Sequence, residues 1–259
     1  MTTDELTLKR RLKHCLHAVK NKMGLPVNYT SLEAKQFKLR IDPAHLPETR
    51  TSGLAQLFAA TREEVGRYIT EAQQLPLIKQ RDEIEQTLDV GSPMSTDDSI
   101  TLYAAVRLSK PQVAVETGTA AGASAAYILE AMHRNGFGQL HSIDRIQNSK
   151  TTGVLIRDEL RAKVQLHTGD CLEVLPALLE RLGSIDFFLH DSNHEYKHMT
   201  AEYRLGHGAI SPGGVIASHD ILHCNAWRHF LKRHRIARSR HRAALRGDSV
   251  PVKRREWES

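Results

Sequence analysis

Residues 194–198 read HEYKH, a literal match to H-E-x-x-H. Two histidines four apart on one helix face can share a zinc ion, with the glutamate activating a water. The chain has 15 His and 17 Glu in 259 residues. At those frequencies roughly 0.06 accidental matches are expected, so surroundings must decide. The residues just before the match are IDFFLHDSN, a strand-like apolar run that ends on His190 and Asp191. Similar runs end on Glu116, Asp144, Gly169-Asp170 and His219-Asp220. If the fold gathers these ends at one edge, carboxylates and imidazoles meet there, and such groups hold cations, ribose hydroxyls or transferable protons.

The elements that must do the gathering are legible. From Gln112 onward, strand and helix alternate: QVAVE, QLHSID, KVQLHTGD, IDFFLHD and VIASHD read as strands. ASAAYILEAMHRNG, CLEVLPALLERLG and HEYKHMTAEYRLGHGAI read as helices between them, the second interrupted or restarted at Pro176. TTGVLIRDEL is a further helix candidate. Five strands joined this way imply an α/β fold, a Rossmann-like doubly wound and mainly parallel sheet. In such sheets ligands bind beyond the carboxyl ends of the strands, where strand order reverses. Before that region, LFAATREEVGRYITEAQQL places Leu57, Phe58, Val65, Ile69 and Ala72 near helical spacing, so residues 1–95 read as a helical extension. Thr96 or Asp97 caps a helix through SITLYAAVRLSK, which stops before Pro111.

Composition narrows the classes. Hydrophobic content of 40% and charge of 25% are those of a soluble globular protein. No apolar run approaches the ~20 residues of a membrane span. The opening MTTDELTLKRRLKHCLHAVKNK carries no apolar leader core, and a cytoplasmic location is expected. Cys15, Cys171 and Cys224 lie far apart, which excludes a C-x-x-C zinc site or a disulfide framework. The net charge of +6 is unevenly placed. From Cys224 onward there are 11 Lys/Arg and 3 Asp/Glu, against 25 and 27 in the preceding residues. The basic character thus belongs to a tail, residues 235–259 with the helix before it. Such a tail attracts phosphate without reading sequence. A solvated end is the favoured account, and nucleic acid ranks below a small-molecule partner.

The first strand–helix turn, ETGTAAGAS, has Gly118 for a tight turn and Gly122 for close approach of a ligand to the helix start. It is neither the dinucleotide G-x-G-x-x-G, since Ala120 and Ala123 stand at the later positions, nor a P-loop. Asp144, at the second strand end, suits a ribose, and Gly169-Asp170 can reach an adenine ring.

VAVETGTAAGAS, LHSIDR, VQLHTGDCLEVLP, IDFFLHDSNHEY and ISPGGVIASHDI, in that order, resemble a class I S-adenosylmethionine-dependent methyltransferase. They look most like the small-molecule O-methyltransferase branch related to catechol O-methyltransferase, the macrolide O-methyltransferases and the cephalosporin hydroxylase-like proteins. The resemblance covers residues 95–233, and residues 96–234 are taken as that domain. It implies that Glu116, Gly118, Thr119, Gly122 and Ser124 line the methionine and ribose of S-adenosyl-L-methionine, that Asp144 holds the ribose, and that Gly169 and Asp170 lie by the adenine. It implies a divalent ion, usually Mg²⁺, on Asp191, His219 and Asp220. His194 falls where the catechol enzyme has a catalytic lysine and is expected as the base. With an imidazole among the ligands, Mn²⁺, Fe²⁺ or Zn²⁺ become alternatives. His219 equally suits a supporting or helix-capping role.

On this reading HEYKH sits in the first turn after the fourth strand, Glu195 is an acid at a helix N-terminus, and His198 is a partly exposed helix residue. The expected partner is a small hydroxylated molecule such as a sugar or secondary metabolite. The N-terminal extension is expected to cover it or to mediate dimerisation in a homo-oligomer. The resemblance also implies two final strands as a hairpin. No alternating strand pattern follows residue 234, so that hairpin is expected to be missing or altered, leaving an open sheet edge. Two other functions follow from these features: a nucleic-acid-modifying methyltransferase that uses the basic tail, and a non-catalytic cofactor-binding relative.

Overall fold

The structure, a computed structural model, describes residues 46–87, 94–146, 148, 150–234 and 250–253. All belong to one unit, Ile41–Ser259. Cys15, the first 45 residues of the extension and most of the basic tail lie outside the described residues.

Among the described residues, six strands form one sheet in the order β3-β2-β1-β4-β5-β6. They are β1 (Val113–Thr117), β2 (Gln139–Asp144), β3 (Val164–Thr168), β4 (Ile185–His190), β5 (Ile210–Ser218) and β6 (Val250–Lys253). The first five are parallel, as the alternating pattern requires. Strand order reverses between β1 and β4, which sets the ligand crevice beside Glu116 and His190. Register aligns the carboxyl ends: Thr117 pairs with Ile143 and His190, and His190 with Ser218.

β6 corrects the expectation of an open edge. It runs antiparallel along β5, with Val250 beside Ser218 and Lys253 beside Val215. One strand of the implied hairpin is therefore present among the described residues. VPVK is only four residues long and contains a proline, and its signal is lost beside the charges around it.

Alternation along the strands divides the core. Ala114, Leu140, Phe187, Leu189 and Val215 face helices α1 (Leu46–Phe58), α2 (Arg62–Gln73), α4 (Thr96–Ser109) and α5 (Ala123–Asn135), with Leu54, Val65, Ala72, Tyr103 and Ile128 buried against them. Val115, Ile143, Phe188 and Ile216 face α6 (Cys171–Leu182), α7 (Tyr196–Ala209) and α8 (Ala226–Arg233), where Leu175, Met199, Tyr203 and Trp227 fill the layer. The helices before residue 95 thus share a core with the sheet. Among them α3 (Leu77–Thr87) contributes Leu77.

Local differences from the sequence reading have local causes. The long helical run after Leu57 is split, because Ala59 adopts φ 52° and Thr61 caps α2 by accepting from Glu64 N. Ser95, not Thr96 or Asp97, caps α4, accepting from Asp98 N at 3.1 Å. TTGVLIRDEL forms turns and a 3₁₀ helix, Asp158–Lys163, in place of an α-helix. Helix α6 runs unbroken through Pro176.

Candidate active site

Backbone hydrogen bonds continue past the strands and lock their ends together. Gly118 N donates to Ile143 O (2.8 Å), Asp191 N to Thr117 O (2.9 Å), His219 N to His190 O (2.9 Å) and Gly169 N to Asp144 O (2.9 Å). Glu116, Asp144, Asp191, His219 and Asp220 are thereby brought to one edge, as the strand pattern predicts.

At the β1 end, Glu116 is fully buried. Ser142 Oγ donates to its Oε2 at 2.6 Å, and Thr119 Oγ1 lies 2.6 Å from the same serine hydroxyl. Its Oε1 is buried with no hydrogen-bond partner. Burial pushes the carboxyl up to about 8, against the opposing pull of the Ser124 and Ser142 hydroxyls. A buried carboxyl oxygen without a partner is costly unless a ligand supplies one, and the amine or hydroxyl groups of S-adenosylmethionine are partners of that kind.

Gly118 makes the tight turn expected of it, and both it and Gly122 are also crowded by distant parts of the chain. At Gly118, φ +91°, a Cβ would overlap the carbonyl oxygen of Asp191. At Gly122, φ +82°, a Cβ would come within 2.9 Å of Gly153 Cα. The close approach to Gly122 is made by the chain itself, sealed by Gly153 N donating to Ala120 O and Leu155 N to Ala121 O. Asp144 Oδ2 accepts from Ala120 N at 2.6 Å and its Oδ1 from Ile146 N at 3.0 Å. Each oxygen keeps one further acceptor site for a ribose hydroxyl. Asp170 caps α6, its Oδ1 accepting from Leu172 N at 2.9 Å, and Gly169 packs against Val174.

At the β4 and β5 ends, imidazoles and carboxylates converge. Asp191 Oδ1 is 2.8 Å from His219 Nδ1. His194 Nε2 lies 3.6 Å from Asp191 Oδ1 and 3.5 Å from Asp220 Oδ2. His219 Nδ1 and His223 Nε2 stand 3.7 and 3.6 Å from Asp220 Oδ2. Burial alone would lower the His219 imidazole, but Asp191, Asp220 and Asp98 outweigh it and raise it to about 9. The two neighbouring imidazoles hold Asp191 below the usual carboxylate range in spite of its burial. Asp220 sits at φ 52°, a left-handed backbone that an aspartate adopts at some cost.

The H-E-x-x-H match dissolves here. Helix α7 begins at Tyr196, after His194, with Glu195 as its N-cap residue making no side-chain cap bond. His194 joins Asp191 and His219, while His198 turns to Glu202 at 2.8 Å, so the two histidines belong to different clusters.

Glu202 escaped the sequence reading. It is fully buried and takes four donors: Thr117 Oγ1 and His190 Nδ1 on Oε2, Ser192 Oγ and His198 Nε2 on Oε1, all at 2.6–2.8 Å. Burial pushes its carboxyl up, but these donors prevail and hold it far below the ordinary range. The one signal in the sequence is the i, i+4 spacing of His198 and Glu202.

A cavity of about 480 Å³ lined by Glu71, Arg107, Glu130, His133, Arg134 and Arg157 includes none of these groups. Its arginines are engaged in part, Arg107 with Glu71 and Arg157 with Glu130.

Residues 115–221 match the model of a family described as a methyltransferase domain. Among solved structures, the cofactor-bound protein Rv0187 from MTB shares the fold at 15% identity and TM-score 0.54, over 64% of this chain and 80% of that one. The O-methyltransferase TomG from Streptomyces achromogenes, involved in tomaymycin synthesis and solved with SAM, is 18% identical over 75% of this chain and 85% of that one, TM-score 0.46. An O-methyltransferase from Bacillus cereus in complex with SAH is 15% identical over 74% and 89%, TM-score 0.49. No curated protein sequence matches the chain. The stretch that matches the methyltransferase-domain model runs from β1 through the β5 end and so contains every strand end just described.

Proposed function

We propose that the chain moves the methyl group of S-adenosylmethionine to a hydroxyl of a small molecule, with a divalent cation held by the β4–β5 cluster. The observation that carries this reading is the convergence of Asp191, His219 and Asp220 at the edge that also bears Glu116 and Asp144. The sulfonium supplies an electrophilic methyl, and a bound cation lowers the pKa of the acceptor hydroxyl and orients it.

The chain's own groups account for the rest. Glu116 Oε1, buried and without a donor, receives a donor of the methionine or ribose part. Asp144 presents its remaining acceptor sites to the ribose. Asp170 has Oδ1 engaged by the α6 N-terminus, which leaves Oδ2 to serve the adenine. The hydroxyl proton leaves toward the more open side of the cluster, where Asp220 Oδ2 and His223 Nε2 lie 3.6 Å apart and His223 is half exposed. His194, expected as the base from sequence, has its Nε2 3.6 Å from Asp191 and 3.5 Å from Asp220. The helices before residue 95 pack against α4 and α5 on one sheet face, and Asp98 of α4 itself reaches within 4.0 Å of His219.

The test is calorimetry with S-adenosylmethionine, followed by methyl transfer to catechol, sugar and macrolide hydroxyl acceptors with and without chelator. The reading predicts micromolar cofactor binding that Asp144→Ala weakens at least tenfold, and transfer that chelation stops. Absence of cofactor binding, or transfer unaffected by chelator, overturns it.

A further inference from the structure

The cluster contains one group more than the family resemblance implies. Ligand atoms of Asp191, His194 and His219 all lie within 4.8 Å of one another, close enough for one ion to touch all three. His194 Nε2 is buried and has no hydrogen-bond partner. Its distances of 3.5 and 3.6 Å to Asp220 and Asp191 are too long for hydrogen bonds, so the nitrogen faces a point shared with both carboxylates.

His219 is held in the matching orientation. Its Nδ1 faces Asp191 and Asp220, and its Nε2 faces Asp98 Oδ2 at 4.0 Å. Asp98 is buried in the first turn of α4, where Ser95 Oγ donates to the same Oδ2 at 2.6 Å. At 4.0 Å Asp98 makes no hydrogen bond to His219 and acts through its charge, which favours a proton on the far nitrogen and so leaves Nδ1 to face the cluster.

The donor types discriminate among ions. Mg²⁺ seeks oxygen ligands and keeps much of its water, whereas imidazole suits the first-row transition ions. We infer that Asp191, His194 and His219 form a site for a divalent first-row transition ion in preference to Mg²⁺, with Asp98 as the positioning residue for His219. This rests on the reading of the cluster as a cation site. It gives His194 the part of a ligand and leaves Asp220 and His223 for the proton.

The experiment uses the full chain, stripped with chelator and titrated with Co²⁺ while its visible absorption bands are followed. One Co²⁺ binds per chain, Zn²⁺ displaces it, and about a thousandfold excess of Mg²⁺ does not. His194→Gln and His219→Asn each weaken Co²⁺ binding at least about 100-fold, and Asp98→Asn about tenfold. S-adenosylmethionine affinity, read on the same samples by calorimetry, stays within threefold, which also shows that the variants are folded. Absence of Co²⁺ binding, displacement by Mg²⁺ at comparable concentration, or an unchanged Co²⁺ affinity in His194→Gln each overturns the inference. The ion displacement needs no variant. Failure here is separable from failure of the proposed function: chelator-sensitive transfer restored fully by Mg²⁺ alone sinks the ion preference and keeps the reaction. Tight Co²⁺ binding with chelator-insensitive transfer does the reverse.

Discussion

Two clusters built from the same residue types lie side by side at the carboxyl edge of the sheet, and both bring His and carboxylate atoms within 4.8 Å of one another. In the first, Glu202 accepts from Thr117, His190, Ser192 and His198, which uses the four lone-pair sites a carboxylate has. In the second, only the Asp191–His219 pair is at hydrogen-bond distance, and His194, Asp220 and His223 stand at 3.5–3.7 Å. The β4 end feeds both: His190 and Ser192 go to Glu202, and Asp191 goes to the open set. A saturated network resists any newcomer, because an ion would have to displace charge-assisted bonds already made. An unsaturated one is poised for a ligand. His190 Nε2 is the one buried nitrogen of the closed network without a partner, and it sits edge-on to the His194 ring. The closed cluster therefore serves as the floor on which the open one rests, tying the β1 end, the β4 end and α7 together.

The largest expected effect breaks the closed cluster. Glu202→Ala strands two buried donors, Thr117 and His190, and two half-buried ones, Ser192 and His198, and is expected to cost about 3–5 kcal/mol of stability, read as a lower denaturant midpoint at unchanged slope. Glu202→Gln keeps the shape, loses the charge and is expected to cost about 2–3 kcal/mol. Asp191→Asn is the counterpart in the open cluster. Asn still offers an oxygen to His219 Nδ1, so stability stays within about 1 kcal/mol of wild type. Methyl transfer is expected to fall at least about 100-fold, because the charge that helps hold the cation is gone. If Asp191→Asn unfolds the chain while Glu202→Ala leaves it intact, the assignment of roles is reversed.

This contrast also shows what the sequence could and could not reveal. The open cluster was legible because its members end strands. A buried parallel strand is a short apolar run, and the first polar residue after it is bound to surface at the ligand edge. Asp144, Asp191, His219 and Asp220 were found that way. Glu202 and Ser192 lie in a helix interior and a loop, at positions any polar residue can occupy, and only the crossing of β1, β4 and α7 gives them meaning. Asp98 was hidden for the same reason, 121 positions before His219 in the chain but within 4.0 Å of it in the fold. The strand β6 and the split after Phe58 depend on pairing and on one left-handed residue, neither of which leaves a periodic trace. Gly118 and Gly122 were recognised as special, but the bodies that crowd them, Asp191 and Gly153, are distant in sequence.

Two buried glutamates sharpen the comparison through pH. Glu202 has its folded pKa depressed, so its contribution is present above about 4.5 and is lost as pH falls through the folded value. His198, raised by the same pair, contributes below about 6.5 and loses that contribution as pH rises through its own folded value. Glu116 has the opposite sign. Its folded pKa of about 8 means that the folded state retains a proton the unfolded chain has released, and stability declines from about pH 4.5 to pH 8. Glu116→Gln is therefore expected to stabilise at pH 8 by roughly 1–3 kcal/mol, with the gain fading toward pH 4. Glu202→Gln should instead flatten the acid slope. Urea unfolding of both variants across pH 4–8 distinguishes them, and parallel curves would show that Glu116 is not held neutral by burial.

The smallest effect isolates strain in the open cluster. Asp220 occupies φ 52°, a conformation that glycine adopts freely and that Asn and Asp tolerate better than other residues. Asp220→Asn and Asp220→Gly both remove the carboxylate that stands by His223 on the proton's way out, so both are expected to slow methyl transfer alike. They differ in backbone cost. Glycine relieves the left-handed strain but gains freedom in the unfolded chain, and the balance is expected to favour Asp220→Gly by up to about 1 kcal/mol, read by thermal unfolding. Comparable positions in the closed cluster carry no such strain: among the described residues, the positive-φ residues other than glycine are Ala59, Lys110, Ala120 and Asp220, and none belongs to the Glu202 network. If Asp220→Gly proves less stable than Asp220→Asn, the turn is held by the amide or carboxylate side chain itself, and the open cluster is then as much a structural device as the closed one.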